Sequence, residues 1–188
     1  MKIYVVRHGE SETNKNGLWT GWHDALLTEK GREDALKARK VLKGVPFDKI
    51  YTSDLSRAIE TAKIAIPDCQ FETTELVREI NVGTLANTPI NSLTAEQKAY
   101  AFNNGYSDYD GESRQELQDR IRVFMKKVEH ADCQNIAVFT HAGWMLALLN
   151  EVLGEKVDRS NIRCYNCAVA IFECDAGQWR LHSWINHV

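Results

Sequence analysis

The chain has 188 residues, which suits one domain whose core is large enough to need no disulfide or metal support. Its hydrophobic share of 44% and charged share of 26% are those of an ordinary globular protein, and its formal net charge is -3. This charge excludes a general electrostatic attraction to nucleic acid or anionic lipid. We expect one domain over residues 1–188, with neither nucleic acid nor membrane as a partner. The oligomeric state is not defined by these features.

The N-terminal half of the chain predicts alternating strands and helices. The apolar, β-branched run Lys2–Val6 predicts a buried strand. It is too short for a signal-peptide core or a membrane span, so we expect a cytoplasmic protein. Apolar residues at helical spacing then continue from an N-cap at Thr28 to Gly44. The next predicted elements are a strand at Lys49–Thr52, a helix at Leu55–Ile66 and a third strand at Phe71–Leu76.

The C-terminal half continues the alternation and ends in a hairpin. Its predicted elements are helices at about Thr94–Phe102 and Ser113–His130, a strand at Asn135–Thr140, a helix at Gly143–Leu153, and strands at Ala168–Cys174 and Trp179–Trp184. Strands that alternate with helices indicate an α/β protein with helices on both faces of the sheet. We predict a three-layer α/β/α fold whose sheet is mostly parallel, with the final hairpin as an antiparallel edge.

Five cysteines raise the question of a disulfide or a metal site. Their number is odd and their spread uneven, so free thiols in a reducing compartment are expected. Cys164 and Cys167 have the CxxC spacing, and Cys174 and His182 lie downstream, so a zinc site is conceivable. A strand-like run follows Cys167 directly, and no second CxxC occurs. We therefore favour cysteines in or beside strands, and no metal.

Polar side chains follow four of the predicted strands. Ligands of such sheets bind beyond the carboxyl ends of the strands, so these side chains are expected to meet in one region. Together they supply two histidines, up to three arginines and a carboxylate: Arg7 and His8 after the first strand, Arg57 after the second, Arg78 and Glu79 after the third, and His141 after the fourth.

This set of side chains is typical of phosphoryl transfer. Guanidinium groups donate paired hydrogen bonds to phosphoryl oxygens and stay charged. A neutral imidazole nitrogen attacks phosphorus and forms a covalent intermediate. A carboxylic acid protonates the leaving oxygen, and backbone N–H groups at the start of the helix after His141 are expected to hold one more oxygen.

The same residues resemble a known family. Arg7-His8-Gly9-Glu10-Ser11, with Asn14 three positions on, is similar to the signature of the histidine phosphatase superfamily, which includes the cofactor-dependent phosphoglycerate mutases. The similarity continues in order across essentially the whole chain, through residues 20–24 and 27–31, 52–58 and 60–62, 78–80 with Gly83, and 140–143. The resemblance implies a phosphoglycerate mutase-like fold.

The resemblance also implies a role for each matched residue. His8 would be the phosphorylated nucleophile. Arg7, Arg57 and His141 would hold the transferring phosphoryl group. Glu79 would donate a proton to the leaving group and later activate water. No metal or organic cofactor is implied, and the partner would be a small phosphorylated substrate.

The acid and the substrate pocket are less closely defined. Glu10 and Glu75 lie near Glu79 in the chain and are alternative acids. Residues 85–87 read Leu-Ala-Asn where many small phosphatases of the family have Trp-Glu-Gly, so the resemblance does not carry a substrate specificity. The other residues that the resemblance places against the substrate are Asn14, Thr20, Gly21 and the backbone of Ala142.

The resemblance leaves a choice between phosphatase and mutase. Residues 20–31 are mutase-like, but only 61 residues separate Glu79 from His141, where mutases usually carry a longer insertion with additional basic residues. Residues 81–112 are expected to form a lid-like insertion, and Lys98 is their only basic residue against four acidic ones. We favour a phosphate monoester hydrolase with a phosphohistidine intermediate, similar to broad-specificity or α-ribazole phosphatases. The alternatives are a cofactor-dependent phosphoglycerate mutase and a non-catalytic module that binds phosphorylated ligands.

Overall fold

The computed structural model describes residues 1–154, 157 and 162–186. Its strands are β1 (Lys2–Arg7), β2 (Lys49–Thr52), β3 (Glu72–Thr73), β4 (Asn135–Thr140), β5 (Val169–Asp175) and β6 (Gln178–Ile185). They form one six-stranded sheet with the order β3-β2-β4-β1-β5-β6. Strands β3, β2, β4 and β1 run parallel to one another, whereas β5 is antiparallel to β1 and β6 is antiparallel to β5. The predicted α/β fold, with a mostly parallel sheet and an antiparallel edge, is confirmed.

Helices cover both faces of this sheet because its central strand is apolar on both sides. Ile3 and Val5 of β1 belong to one buried cluster, and Tyr4 and Val6 belong to another. The α-helices are α1 (Glu12–Lys15), α2 (Glu29–Leu42), α3 (Ser56–Ala65), α4 (Ala95–Asn104), α5 (Arg114–Glu129) and α6 (Ala142–Leu153). Side chains of α5 and α6 complete the first cluster, and side chains of α2 and α3 complete the second. The alternation along β1 thus produces the three layers.

Side-chain caps define where three of the helices begin. The Thr28 hydroxyl accepts the N–H of Gly31 at the start of α2, as predicted. Ser113 and Thr94 begin α5 and α4 with reciprocal capping boxes. Each cap contributes about 1 kcal/mol to the stability of its helix.

Two local elements differ from the prediction. The third strand, expected at Phe71–Leu76, is only the pair Glu72–Thr73. Thr74 ends it because its hydroxyl accepts the N–H of Leu76, and Glu75–Val77 form a 3₁₀ turn. The short helix α1 was not predicted, since Ser11 and Asn14 form it by a capping box rather than by an apolar pattern.

Residues 81–112 pack onto the segment that follows α1. Trp19 lies against the rings of Phe102 and Tyr106, with centroid distances of 5.9 and 5.7 Å. The backbone N–H of Trp19 donates to Thr88, and that of Asn87 donates to the Trp19 carbonyl. Tyr106 is therefore buried in the core, whereas Tyr100 is exposed.

The state of the cysteines and the character of the helices can also be described. All five cysteines are free thiols, as predicted. Across the described ranges 1–154, 157 and 162–186, none of the helices combines the length and the apolar character needed to span a bilayer.

Candidate active site

Two neighbouring parallel strands place His8 beside His141. Arg7 is in register with Thr140 across β1 and β4, and the backbone N–H of His8 donates to the Thr140 carbonyl at 3.0 Å. The two imidazole rings have centroids 5.1 Å apart and planes inclined at 60°. Both rings are buried, with exposed fractions of 3% for His8 and 0% for His141. The structure therefore brings together the two histidines that the sequence predicted to meet.

The hydrogen bonding of His8 defines its tautomer. Its Nδ1 atom lies 2.6 Å from the carbonyl oxygen of Gly9. A carbonyl oxygen only accepts, so Nδ1 carries the hydrogen and Nε2 keeps its lone pair. Burial, followed by the charges of Arg57 and Arg7, lowers the pKa of His8 well below 6.5. At neutral pH His8 is thus an uncharged imidazole with a nucleophilic Nε2.

Close backbone packing holds the His8 loop in place. A β-carbon on Gly9 would lie 2.2 Å from the carbonyl oxygen of Gly31, in the first turn of α2. A β-carbon on Gly31 would in turn lie 2.1 Å from the carbonyl oxygen of Glu10. The N–H of Gly9 also donates to the Thr61 hydroxyl at 3.0 Å. Both glycines are required because no side chain fits between the loop and α2.

Arg57 is a fully buried cation at the start of α3. Its two terminal nitrogens donate to the carbonyl oxygens of Gly21 at 2.8 Å and His23 at 2.9 Å. Its Nε atom is buried without a partner. Burial lowers the pKa of Arg57 to about 10, so the group still carries its positive charge at neutral pH.

Arg7 and His141 complete a group of buried nitrogens that have no hydrogen-bond partner. Arg7 donates from Nη1 to the Cys164 carbonyl at 2.5 Å, but its Nε is buried and unpartnered. Both ring nitrogens of His141 are also unpartnered, and burial together with the charge of Arg57 lowers the pKa of this residue well below 6.5. Of the five such nitrogens in the described part of the chain, four belong to Arg7, Arg57 and His141.

These unpartnered groups indicate an anion site. A buried donor without a partner costs about 1–3 kcal/mol, so a cluster of them points to a ligand. Among the described residues, neither Arg7 nor Arg57 forms a salt bridge with a carboxylate. The charges of Glu79 and Asp24 act on Arg57 from a distance without a direct ion pair. Two guanidinium groups that have no salt-bridge partner among the described residues, beside a neutral nucleophile, match a dianionic phosphoryl group.

Glu79 lies at the N-terminus of α6. Its Oε2 atom accepts the N–H of Gly143 at 3.1 Å, and Oε1 accepts the N–H groups of Trp144 at 3.2 Å and Ile80 at 3.0 Å. A β-carbon on Gly143 would lie 2.3 Å from Oε1, so any side chain at this position would displace the Glu79 carboxylate. The expectation that these amides hold a phosphoryl oxygen is wrong for Gly143 and Trp144, because the Glu79 carboxylate occupies them. Ala142, the first residue of α6, precedes both.

The two alternative acids are engaged elsewhere. Glu10 accepts hydrogen bonds from the Thr28 hydroxyl at 2.9 Å and from Lys30 at 3.1 Å. The Glu75 side chain is 71% exposed and lies 3.1 Å from Arg78. Of these three carboxylates, only Glu79 caps the helix that begins beside His141.

Arg78 does not join the other arginines as the sequence suggested. It forms a two-point salt bridge with Asp54, at 2.7 Å from Nε and 2.5 Å from Nη2. Its guanidinium carbon also lies 4.7 Å from the centre of the Trp22 ring. The charge of Arg78 is compensated, and we expect it to stabilise the loop rather than bind a ligand.

The remaining predicted pocket residues support the site through hydrogen bonds. The Thr20 hydroxyl lies 2.7 Å from that of Thr13. Gly21 has a positive φ of 49° and offers its carbonyl to Arg57. The amide oxygen of Asn14 accepts the N–H of Ser11 at 3.2 Å and the side-chain N–H of Asn166 at 3.2 Å.

The segment between the two cysteines of the CxxC motif was missed as a part of the site. Asn166 also donates to the His8 carbonyl at 3.2 Å, as does the backbone N–H of Cys167. The Cys164 carbonyl accepts from Arg7, so this segment acts through its backbone and an amide side chain. Within residues 1–154, 157 and 162–186, no group of three or more His, Cys, Asp or Glu side chains is placed to hold a metal ion.

Comparisons with known proteins agree with this geometry. The model of the histidine phosphatase superfamily, branch 1, matches residues 3–187. A curated Salmonella arizonae protein named "Probable phosphoglycerate mutase GpmB" is 28% identical over 194 residues, covering 98% of this chain and 90% of that protein. YhfR of Bacillus stearothermophilus is 28% identical with a TM-score of 0.85, covering 96% of this chain and 94% of that chain. An Escherichia coli K-12 structure described as a "putative alpha-ribazole-5'-P phosphatase" is 25% identical with a TM-score of 0.84, covering 99% and 96%.

Proposed function

We propose that this chain, which belongs to the histidine phosphatase superfamily, branch 1, hydrolyses phosphate monoesters of a small metabolite through a phosphohistidine on His8. The observation that carries the proposal is the cluster of unpartnered nitrogens of Arg7, Arg57 and His141 around a neutral His8. Two guanidinium groups that form no salt bridge with a carboxylate among the described residues favour a dianionic ligand, and a phosphate monoester is one near neutral pH.

In the first step the phosphoryl group moves to His8. The lone pair on Nε2 attacks phosphorus while the ester P–O bond breaks, and the leaving oxygen takes a proton from Glu79. Oε1 of Glu79 accepts two amide hydrogens but Oε2 accepts only one. Oε2 therefore retains a lone pair that can carry the proton. The products of this step are an alcohol, a phosphorylated His8 and the Glu79 carboxylate.

In the second step water takes the place of the alcohol. The Glu79 carboxylate accepts a proton from water, the water oxygen attacks phosphorus, and the N–P bond breaks. Inorganic phosphate leaves, His8 returns to its neutral form and Glu79 is again protonated. Arg7, Arg57 and the ring of His141 stay in contact with the equatorial oxygens in both steps, because charge accumulates there in each transition state.

The paired state of Arg78 favours hydrolysis over mutase activity. A mutase substrate carries a second acidic group, which needs its own cationic partner. Arg78 is compensated by Asp54, and Lys30 is compensated by Glu10 and Asp34. The similarity to a protein named as a phosphoglycerate mutase keeps mutase activity as the second candidate.

Turnover of p-nitrophenyl phosphate tests the proposal. The wild type is expected to release nitrophenol, and His8→Ala to lower the rate by at least ~10⁴-fold because no covalent intermediate forms. An alkaline quench during turnover should trap acid-labile phosphate on His8. Phosphate on a different residue, or equal rates for wild type and variant, would contradict the mechanism. Interconversion of 3- and 2-phosphoglycerate with a bisphosphate primer tests the mutase alternative.

A further inference from the structure

We propose that Arg120 of α5 is a positioning residue for the proton donor Glu79, and that it acts through the backbone of the acid loop. The acid loop is defined here as residues 75–79. The inference rests on the proposed function, because it assigns a partner to the acid of that reaction. No motif of the sequence drew attention to Arg120, which lies 41 positions from Glu79.

The guanidinium group of Arg120 contacts the acid loop at several carbonyl oxygens. Nη1 donates to Glu75, Leu76 and Arg78 at 3.2, 3.0 and 2.9 Å. Nη2 donates to the carbonyl of Glu79 at 3.2 Å. Within the described part of the chain, no strand pairs with residues 75–79, so Arg120 donates hydrogen bonds that a neighbouring strand would otherwise provide.

A partly buried carboxylate, that of Glu112, holds Arg120 in this orientation. Glu112 accepts from Nε and Nη2 of Arg120, both at 2.9 Å, and the two side chains are only 11% and 13% exposed. Glu112 also accepts the backbone N–H of Asn81 at 3.1 Å, while its own N–H donates to the Asn81 carbonyl. The pair thus joins both ends of residues 81–112 to the acid loop.

The Glu79 carbonyl accepts a second hydrogen bond besides that of Arg120. The indole N–H of Trp22 donates to the Glu79 carbonyl at 2.7 Å. With this carbonyl held by Trp22 and Arg120, and the carboxylate held at the start of α6, little freedom remains for the Glu79 side chain. General acid catalysis depends steeply on such placement, so a loosened loop should slow proton donation without changing phosphoryl binding.

Leaving-group dependence separates this role from a general loss of structure. Phenyl phosphate releases a basic phenolate that needs the acid, whereas p-nitrophenyl phosphate releases a weakly basic one that needs it little. We expect Arg120→Lys and Glu112→Gln to lower kcat/KM by about 10–100-fold for phenyl phosphate but by less than about 3-fold for p-nitrophenyl phosphate. Lysine keeps the charge but cannot reproduce the two-point contact and the carbonyl contacts together.

Two reference variants complete the experiment. Arg122→Ala, two positions along α5, removes an exposed arginine paired with Glu151 and should leave both rates unchanged. Glu79→Gln should show the same leaving-group pattern in a stronger form. Equal losses for both esters in Arg120→Lys and Glu112→Gln, or no loss in either, would overturn the positioning role. A wild type that hydrolyses neither ester would instead refute the proposed function itself.

Discussion

Arg7, Arg57, Arg78 and Arg120 form two classes of guanidinium group, which differ in whether a carboxylate pairs with them. Arg78 and Arg120 each pair with a carboxylate through two contacts, with Asp54 and Glu112 respectively. Among the described residues, Arg7 and Arg57 donate to backbone carbonyls only, and each has a buried Nε without a partner. All four groups are arginine side chains, so the residue type alone does not explain the difference.

This difference separates guanidinium groups that are available to bind an anionic ligand from those that stabilise the protein structure. A guanidinium group whose charge is already matched gains little from a phosphate dianion, since the new contact replaces an existing one. A guanidinium group held only by neutral carbonyls keeps its charge for the ligand. The two classes are distinguished by the presence of a carboxylate partner, more than by a position next to the end of a strand.

Between the two classes, the larger effect on activity is expected from replacing an arginine of the class without a carboxylate partner. Arg57→Met should lower kcat/KM for p-nitrophenyl phosphate by ~10³-fold, about 4 kcal/mol of transition-state stabilisation, because a cation over the equatorial oxygens is lost. Orthophosphate should raise the melting temperature of the wild type but not that of the variant. Steady-state kinetics and thermal scans with and without phosphate check both results. An equal or greater loss of activity in Arg78→Met would break the division into two classes.

The next expected effect is a pH dependence of stability that arises from His8 and His141, whose pKa values Arg7 and Arg57 help to lower. The fold lowers the pKa of His8 and of His141 well below 6.5, mainly through burial. As pH falls below 6.5 the unfolded chain takes up protons that the folded protein does not. The free energy of unfolding should therefore fall with pH by about 1.4 kcal/mol per pH unit for each histidine, until the folded pKa is reached.

Urea unfolding between pH 7 and pH 5 measures this slope. His8→Asn and His141→Asn should each lower this slope by the contribution of about one histidine. The exposed His130, whose Nδ1 lies near the Lys126 carbonyl, offers a matched control, and His130→Asn should leave most of the slope in place. A slope that survives in both active-site variants would show that the buried histidines are not the cause.

The smallest expected effect comes from the compensated class. Arg78→Met should cost about 1 kcal/mol of stability, because the salt bridge with Asp54 is partly exposed and screened. Activity should change by less than about 10-fold. Chemical denaturation and turnover of p-nitrophenyl phosphate measure the two quantities. Asp54→Asn should give a similar loss of stability, and no further loss is expected in the double variant. Strict additivity of the two losses would argue against the pair as the stabilising unit.

Most of the elements and most of the site were predictable from local pattern. The strands β1, β2 and β4 lie within one residue of their predicted bounds, and the residues after β1 and β4 are the two histidines. Prediction failed where a polar side chain decided the backbone, as with Thr74 at the end of β3 and Ser11 at the start of α1. Such bonds leave no periodic signal.

The partners of each polar group were not predictable in the same way. Asp54 and Arg78 are 24 positions apart, and Asn14 and Asn166 are 152 apart. Nothing in the local sequence distinguishes Arg78, which forms a salt bridge with a carboxylate, from Arg57, which forms none among the described residues. The start of α6 likewise appeared free for a phosphoryl oxygen until the structure placed Glu79 there.

The sequence by itself determined the order of the elements, the family resemblance and the residue types available for phosphoryl transfer, because periodicity and short motifs are local properties. Only the tertiary structure decided which cations remain uncompensated, which tautomer His8 adopts and how Arg120 reaches the loop that carries Glu79. These outcomes depend on which donors and acceptors come together across long chain separations. Packing determines which donors and acceptors meet, and these contacts decide whether a buried charge is available to a ligand.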